Sequence, residues 1–546
     1  MRLLDWAVLV AALAGAVLYG LWRSRGSNTT EKYLLAGRTM PWYAMALSIM
    51  ATQASAVTFI STTAQSYVDG MRFVQFYFGL PVAMIIIAAF IVPRFHASGV
   101  YTAYEYLEKR FDSRTRALVT AIFLIQRGLG VGISLSAPAI VLTVLLGLPE
   151  TTTIFLMAAF AVFYTVKGGI AAVTWADFIQ MFIMTLGLIS ALLTAIWLLP
   201  DNIGLAGALK IAGAAGRLNP VTFTFDWNDR YNLWSGLIGG TFLAMAYFGC
   251  DQSQVQRYLQ GKDITQARLS LLFNAIAKIP MQFFILFTGA MVFAFFSFVK
   301  PPVLFNPAAD RNVTAESRAG FDRAFDARSA AARGVVAGDN GAADRFRAAQ
   351  QDLDQARRRA AGDKDPGDTN YIFLSFVTRY MPIGIVGLVM AVIFAAAMSA
   401  ISGEINALAT VTIIDGYKRF VRPGATDHQT LTASRWATLF WGLYAMGTAQ
   451  FGHRMGSLIE AVNFLGSLFY GGMLGVFLLA FFFPRVNARG AFYGVLAGEA
   501  AIFTAKFTTS IAFLWFNVLG ALVVIVVGVA VSALGPRNQL PSRQIA

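Results

Sequence analysis

The sequence predicts an all-α polytopic membrane protein, and three observations carry that prediction. Apolar runs long enough to cross a bilayer recur from one end of the chain to the other. Only 13% of the 546 residues are charged, against about a quarter in soluble domains, and the mean hydropathy is +0.60. Lys and Arg gather in short segments between the apolar runs, as loops that set orientation do. A β-barrel is excluded, because barrels need short alternating segments rather than runs such as 82–92.

About 13 spans are expected, at 3–22, 41–66, 75–93, 117–145, 151–167, 173–199, 232–250, 271–298, 372–415, 431–450, 456–483, 488–508 and 511–534. The first reads as a retained span. Asp5 interrupts the charged region a signal peptide would carry, and no small-residue cleavage site precedes Arg23. The ninth is too long for one crossing, so it divides into an outer helix and a membrane part that starts at Pro382. Arg23, Arg25, Lys32 and Arg38 follow the first span, and Arg94, Lys109, Arg110, Arg114 and Arg116 follow the third. Arg257, Lys262 and Arg268 follow the seventh, and Lys418, Arg419, Arg422 and Arg435 the ninth, whereas 147–152 carries no positive charge. The positive-inside rule then puts the N-terminus outside and the C-terminus in the cytoplasm of a cell inner membrane, with lipid as the surroundings.

Segment 301–368 differs from the rest. It turns to Ala, Arg and Asp with interspersed charges, which predicts a solvated helix pair or partial disorder on the outer face, with too little apolar material for a core.

The net charge of +14 does not imply nucleic acid, since its carriers lie mostly in the short loops. Cys250 is the only cysteine, so no disulfide framework or thiolate metal site exists. His96, His428 and His453 all fall near span ends and make no metal cluster. No nucleophile–base pair or phosphate loop is found within the spans, so no enzyme is expected.

Polar residues concentrate where plain spans would be apolar. The segment 387–419, GLVMAVIFAAAMSAISGEINALATVTIIDGYKR, holds Ser399, Ser402, Glu404 and Asn406. Ala396, Ser399 and Asn406 share one helix face. Small residues and hydroxyls there suit either a small hard cation such as sodium or close helix packing. The second span, SIMATQASAVTFISTTAQS, puts Gln53, Ser55, Thr58, Ser61, Thr62 and Thr63 at membrane depth, and the seventh groups Gly236, Gly239 and Gly240. Counted from the second span, these are the first members of two consecutive sets of five. Helices broken at such places expose carbonyls and helix ends to ion and substrate at mid-membrane.

Several blocks in order resemble the sodium/solute symporter family: YLLAGRTMPWYAMALSIMATQASAVTF, TAYEYLEKRF, YTVKGGIAAVTWADFIQ, DQSQVQRYLQGKD, the 387–419 segment and FYGGMLGVFLLAFFFPR. The resemblance covers the chain except 301–368 and the C-terminal tail. It implies a LeuT-like core of two inverted five-helix repeats, with one extra helix before it and two after. The implied organisation is 1–40 as the extra span and loop, 41–199 as the first repeat and 200–231 as an extracellular loop. Residues 232–483 form the second repeat, containing the insertion, and 484–546 the last two spans and tail.

The resemblance further implies a sodium site formed by the carbonyls of Ala51, Ala54 and Ala396, the hydroxyl of Ser399, and Ala400. At Ala400 sodium-using members usually carry Ser or Thr. Some members hold another cation with hydroxyls near Ser402 and an acid at the Asp177 position, but Gly403 stands where a second hydroxyl is expected. Glu404 restores negative charge near the ion, carries a proton, or pairs with a Lys or Arg near the helix end. Gln53, Thr58, Tyr247 and Phe248 match substrate-contacting positions, whereas the Asn and Lys ligands of the sugar branch are not evident. QRGLGVGISLSAPAIVL (126–142) resembles the branch for iodide, monocarboxylates and biotin-like vitamins. Arg127 within it either pairs with a substrate carboxylate or snorkels to lipid phosphates.

The implied function is sodium-coupled symport of a small organic solute, with a monocarboxylate or related anion foremost. The alternatives are sodium- or proton-coupled uptake of a sugar or amino acid, and a non-transporting sensor on the same scaffold. The oligomeric state is left open.

Overall fold

The computed structural model describes residues 2–26, 28–200, 203–362, 367–450 and 458–534. His453, the start of the span expected at 456–483, and the tail from Gly535 lie outside these. The described residues fold almost entirely as helices, and their strand content is one isolated bridge between Met40 and Gly261.

Taken in order, α1 spans Leu3–Arg23 and α2 Trp42–Gln53. The chain resumes through a wide turn at Thr58–Thr62 into α3, Thr63–Asp69. Helix α4 (Leu80–Ile86) continues through residues 87–98, and the short α5 (Ala103–Arg110) follows. The long α6 (Ser113–Leu146) and α7 (Glu150–Trp197) come next, then α8 (Gly204–Ala214). Helix α9 (Gly240–Gly249) and the seven-residue α10 (Gln252–Tyr258) precede α11, Ile264–Phe296. Beyond the hairpin α12 (Ala315–Ala337) and α13 (Ala342–Ala360) stand α14 (Ile372–Tyr380) and α15 (Ile385–Val411). The chain closes with α16 (Asp427–Ala449), α17 (Leu458–Phe482), α18 (Ala488–Thr508) and α19 (Leu514–Leu534). Side-chain caps at Thr102, Asp112, Asp263, Thr426 and Asn487 accept from the first turns and fix where helices begin.

Among the described residues, eight helices are long and apolar enough to cross a membrane. Several expected spans differ from simple rods. The spans expected at 151–167 and 173–199 are one kinked helix, α7, whose bend sits at Gly169 (φ 58°, ψ −162°). A Cβ at Gly169 would lie 2.5 Å from the Tyr33 carbonyl oxygen, so only glycine serves there. The division expected at Pro382 is present: α14 ends at Tyr380 and α15 starts at Ile385.

Helix α15 is the centre of the bundle. Of its apolar window 89% is buried, against 28% for α1. It packs on α7, α1, α6 and α2. Its N-terminus is capped from outside its own sequence: Asp5 Oδ1 accepts from the backbone N–H of Gly384 (2.6 Å) and Gly387 (3.3 Å). A Cβ at Gly387 would fall 2.3 Å from the Asp5 carbonyl oxygen, so the close approach requires glycine. The residue that argued against a signal peptide thus anchors the central helix.

The insertion is the expected helix pair, but it does have a core. Val303, Leu304, Phe321, Phe325 and Leu353 form a small buried cluster, because the large apolar residues of 301–368, few as they are, converge on one side of the hairpin. Arg328 is fully buried, donating to Gln350 (2.9 Å) and the Phe296 carbonyl.

Replacing Asp5 with Ala should destabilise the purified protein by about 1–2 kcal/mol, read as a lower thermal midpoint in detergent. Asp5→Asn, which keeps an acceptor, should lose less.

Candidate functional site

The break expected in the second span is present, whereas the seventh runs unbroken through Gly236, Gly239 and Gly240 and is interrupted only after Gly249. Helix α2 stops at Gln53, Ala54 leaves helical geometry (φ −85°, ψ 52°) and Ser55 belongs to no helix. Helix α9 stops at Gly249, and the chain passes through Cys250 and Asp251 before α10. A helix end leaves carbonyls without intrahelical partners. Here the Gln53 carbonyl takes the Thr58 hydroxyl at 2.9 Å. The glycines singled out in the sequence are contact points. A Cβ at Gly236 or Gly240 would meet the carbonyl oxygens of Gln75 (2.0 Å) and Phe76 (2.7 Å), and one at Gly239 would meet Leu514.

Ala51 and Ala54 lie at the first interruption, fully buried; Ala396, Ser399 and Ala400 lie on adjacent turns of α15, also buried. Ser399 is fully buried and its hydroxyl faces the Asp177 carboxyl of α7. Asp177 accepts from Ser48 Oγ at 2.6 Å, one turn before Ala51 on α2. Ser48 of α2 and Ser399 of α15 therefore meet around one buried acid. Ser402 donates to the Ser399 carbonyl at 3.2 Å. Asp177 and Glu404 belong to two different clusters: Asp177 pairs with Arg257, Glu404 with Arg127.

Arg127 neither snorkels nor waits unpaired for a ligand. It is 3% exposed. Its Nη1 donates to Glu404 Oε1 at 3.0 Å, and its Nη2 to Asp251 and to the Tyr470 hydroxyl (2.6 Å). Tyr470 in turn donates to Asp251 Oδ2 at 2.9 Å, and Asp251 Oδ1 caps α10 through Ser253 N–H. One guanidinium serves two carboxylates, as its planar fork permits. Glu404 Oε2 has no protein partner.

Above this cluster lies a cavity of about 110 Å³. Gln53, Thr58, Arg127, Tyr247 and Phe248 all line it, as do Ala400 and Glu404. All five residues expected near substrate therefore share one space. Its hydrogen-bonding capacity is unspent: both amide atoms of Gln53, Gln126 Oε1 and Asn463 Nδ2 have no protein partner. Tyr77 forms part of the wall. Behind its ring, 5.1 Å from the centroid, is the amine of Lys278 on α11, fully buried and without a hydrogen bond or acidic partner among the described residues.

Four of these groups were missed in the sequence. By sequence Arg257 reads as a loop charge, yet it is fully buried, because α10 returns to the bundle interior. Asp251 and Tyr470 come from segments far apart in the chain. Lys278 was visible as a lone cation in the apolar run 271–298. At the face carrying the loop arginines, Arg116 pairs with Asp415 and with Glu108 (2.6 Å), which Arg419 also reaches at 2.5 Å. Burial pushes the Glu108 carboxyl up, but the two guanidiniums outweigh it and hold it below its usual range.

The family model described as the sodium:solute symporter family matches residues 33–319 and 349–498. A sodium-coupled monocarboxylate transporter 2 of Bos taurus is 28% identical over 492 residues, 90% of this chain and 70% of the relative. A sodium/glucose cotransporter of Vibrio parahaemolyticus is 27% identical over 515 residues, 92% and 84% of the two chains. A substrate-bound, outward-open Na+-coupled sialic acid symporter superposes with a TM-score of 0.79 at 25% identity, covering 99% of this chain and all of that one. The fold is thus the LeuT-like all-α class, and these relatives are transporters.

Replacing Arg127 with Met leaves two buried acids without their cation, which should cost about 3–5 kcal/mol. Adding Asp251→Asn and Glu404→Gln should recover much of the lost thermal stability.

Proposed function

The chain belongs to the sodium:solute symporter family, and on that premise we propose that it imports a small organic acid together with sodium. A short monocarboxylate or a close relative fits best. The observation that carries this is the cavity between two interrupted helices, with amides on its wall that have no partner, and a lysine behind Tyr77 that has no acid, among the described residues. Arg127 is already matched by two carboxylates, so Lys278 is the basic group near the cavity that a carboxylate solute would help to charge. The monocarboxylate-transporting relative supports the same choice. A second reading, a neutral polyol or sugar, is favoured by the amides of Gln53 and Gln126 and by the glucose-transporting relative.

The ion is proposed to sit between the carbonyls of Ala51, Ala54 and Ala396 and the hydroxyl of Ser399. The burial of Ser399, with its hydroxyl facing the Asp177 carboxyl, supports this; at Ala400 a hydroxyl is missing from the set. Sodium there orders the interrupted segment of α2, which completes the cavity wall at Gln53 and Thr58. Closing the outer side and opening the inner one then releases both. No bond is made or broken, so the protein is read as a carrier and not an enzyme. We place it in the plasma membrane, with the N-terminus outside and the C-terminus in the cytoplasm. One inward positive charge through 100 mV yields about 2.3 kcal/mol, and a tenfold sodium gradient adds about 1.4 kcal/mol. A neutral solute draws on both, a monoanion with one sodium only on the second.

The test is a thermal-shift screen of the purified chain with short carboxylates, sugars and amino acids, in sodium and in potassium. Ser399→Ala should abolish the sodium-specific shift; an unchanged shift puts the ion elsewhere. Lys278→Met should weaken carboxylate binding, by less than a direct charged hydrogen bond would contribute, because the amine acts across the Tyr77 ring and does not line the cavity. Undiminished carboxylate binding, or a shift with sugars alone, sinks the organic-acid reading.

A further inference from the structure

Helix α18 carries one acid, Glu499, near its middle. Both carboxyl oxygens are buried and make no hydrogen bond to a protein group among the described residues. The carboxyl lies on α17 where that helix has no side chain: a Cβ built on Gly472 would fall 2.1 Å from Oε1 and 2.9 Å from the carboxyl carbon. Gly472 is itself near the middle of α17, which is long and apolar enough to cross a membrane, so Glu499 stands at membrane depth. Beside it Gly498 packs on Val524 and Gly520 of α19. Leu496 and Phe503 share the helix face of Glu499 and are 42% and 37% exposed, so the acid occupies the seam between α17 and lipid.

The elements packed on α18 offer no cation to balance a carboxylate there. Helix α19 has no charged residue, and the one on α17, Glu460, is about 18 Å along the axis from Gly472. On α18 itself Arg489 and Lys506 stand about 15 Å and about 10 Å away along the axis, and the Lys506 amine lies over the Phe464 ring. Helix α6 also packs on α18 and brings Arg114, Arg116 and Arg127. Arg116 and Arg127 are held by the acids described above, and Arg114 is exposed at the helix start. An isolated carboxylate in hydrocarbon costs far more than the neutral acid. The contact with Gly472 therefore accommodates Glu499 in its neutral form.

We propose that Glu499 is a proton-binding site at this seam, holding one proton while α18 lies against α17 and releasing it when the two helices part. The ligand is the proton alone; neither sodium nor the solute enters. Gly472 comes two residues after Tyr470, so α17 turns one face to Glu499 and the opposite face to the cluster in which the Tyr470 hydroxyl meets Arg127 and Asp251. A movement of α17 as a rigid helix changes both contacts together. The proton on Glu499 and the seating of Tyr470 at the cavity thus depend on one another.

Two measurements on the full chain in liposomes test this. Dicyclohexylcarbodiimide, an apolar reagent, adds to carboxylic acids in lipid. The acid proton passes to a carbodiimide nitrogen, the carboxyl oxygen bonds to the central carbon, and the adduct rearranges to a stable acylurea. Peptide mass spectrometry should find Glu499 modified at about pH 6, well above the ordinary glutamate value of about 4.3, and progressively less as the pH rises. Tyr470→Phe, which loosens α17, should move that profile to lower pH. The second measurement is the thermal midpoint of the wild type and of the neutral isostere Glu499→Gln. The unfolded carboxyl ionises above about pH 4.3 while the folded one keeps its proton, so the stability present at low pH is lost as the pH rises. The wild type should therefore fall increasingly below Glu499→Gln between about pH 5 and about pH 9. An unmodified Glu499 at about pH 6, or a gap that stays constant with pH, overturns the proposal. An unchanged profile in a folded Tyr470→Phe overturns the link to α17.

Discussion

The structure depends on two places where a membrane helix gives up its own hydrogen bonding, at residues 54–55 and 250–251. Unsatisfied backbone groups are costly in lipid, so such interruptions survive only inside protein or against a polar cavity. Both conditions hold here. The first interruption lies against α15, the most enclosed helix of the bundle, and the second is tied down by Asp251, which caps the next helix and binds Arg127. The cavity, its amide lining and the proposed ion position all follow from these two openings.

Charge is handled with the same economy of partners. Arg127 holds together α6, α15, α17 and the break before α10 through Glu404, Tyr470 and Asp251. Arg257 ties α10 to α2 and α7. Removing one member of such a pair leaves an uncompensated charge in a low-dielectric interior, so both act as cross-braces around the cavity. Lys278 stands apart, since it has burial without an acid. A group in that state marks a place where the protein has forgone stability, and the cavity wall beside it supplies the reason.

Much of this was legible in the sequence because it is local. The apolar runs and the polar residues at 53–63 announced membrane helices and the first break, whereas the glycines at 236–240 mark close packing and the second break lies ten residues on. The hydroxyl face of α15 was visible from helical spacing alone. What the sequence did not disclose is pairing over distance. Arg127 meets Asp251 and Glu404 across 124 and 277 positions, and nothing in either neighbourhood signals the other. Arg257 misled for a physical reason: a positive residue just after a span reads as a loop charge, unless the next helix turns back inward. The apolar cluster of the insertion was hidden by its sparse composition. Asp5 showed its oddity in an apolar run but not its partner, the start of α15.

The central claim is that the opened end of α2 and the Ser399 hydroxyl together hold sodium. An experimental structure of the purified chain in high sodium, resolved well enough to show the ion, tests it most directly. The account predicts density coordinated by the Ala51 and Ala54 carbonyls, the Ala396 carbonyl and Ser399 Oγ, absent when potassium replaces sodium. A continuous helix through residues 54–55, or an ion bound away from Ser399, would contradict it.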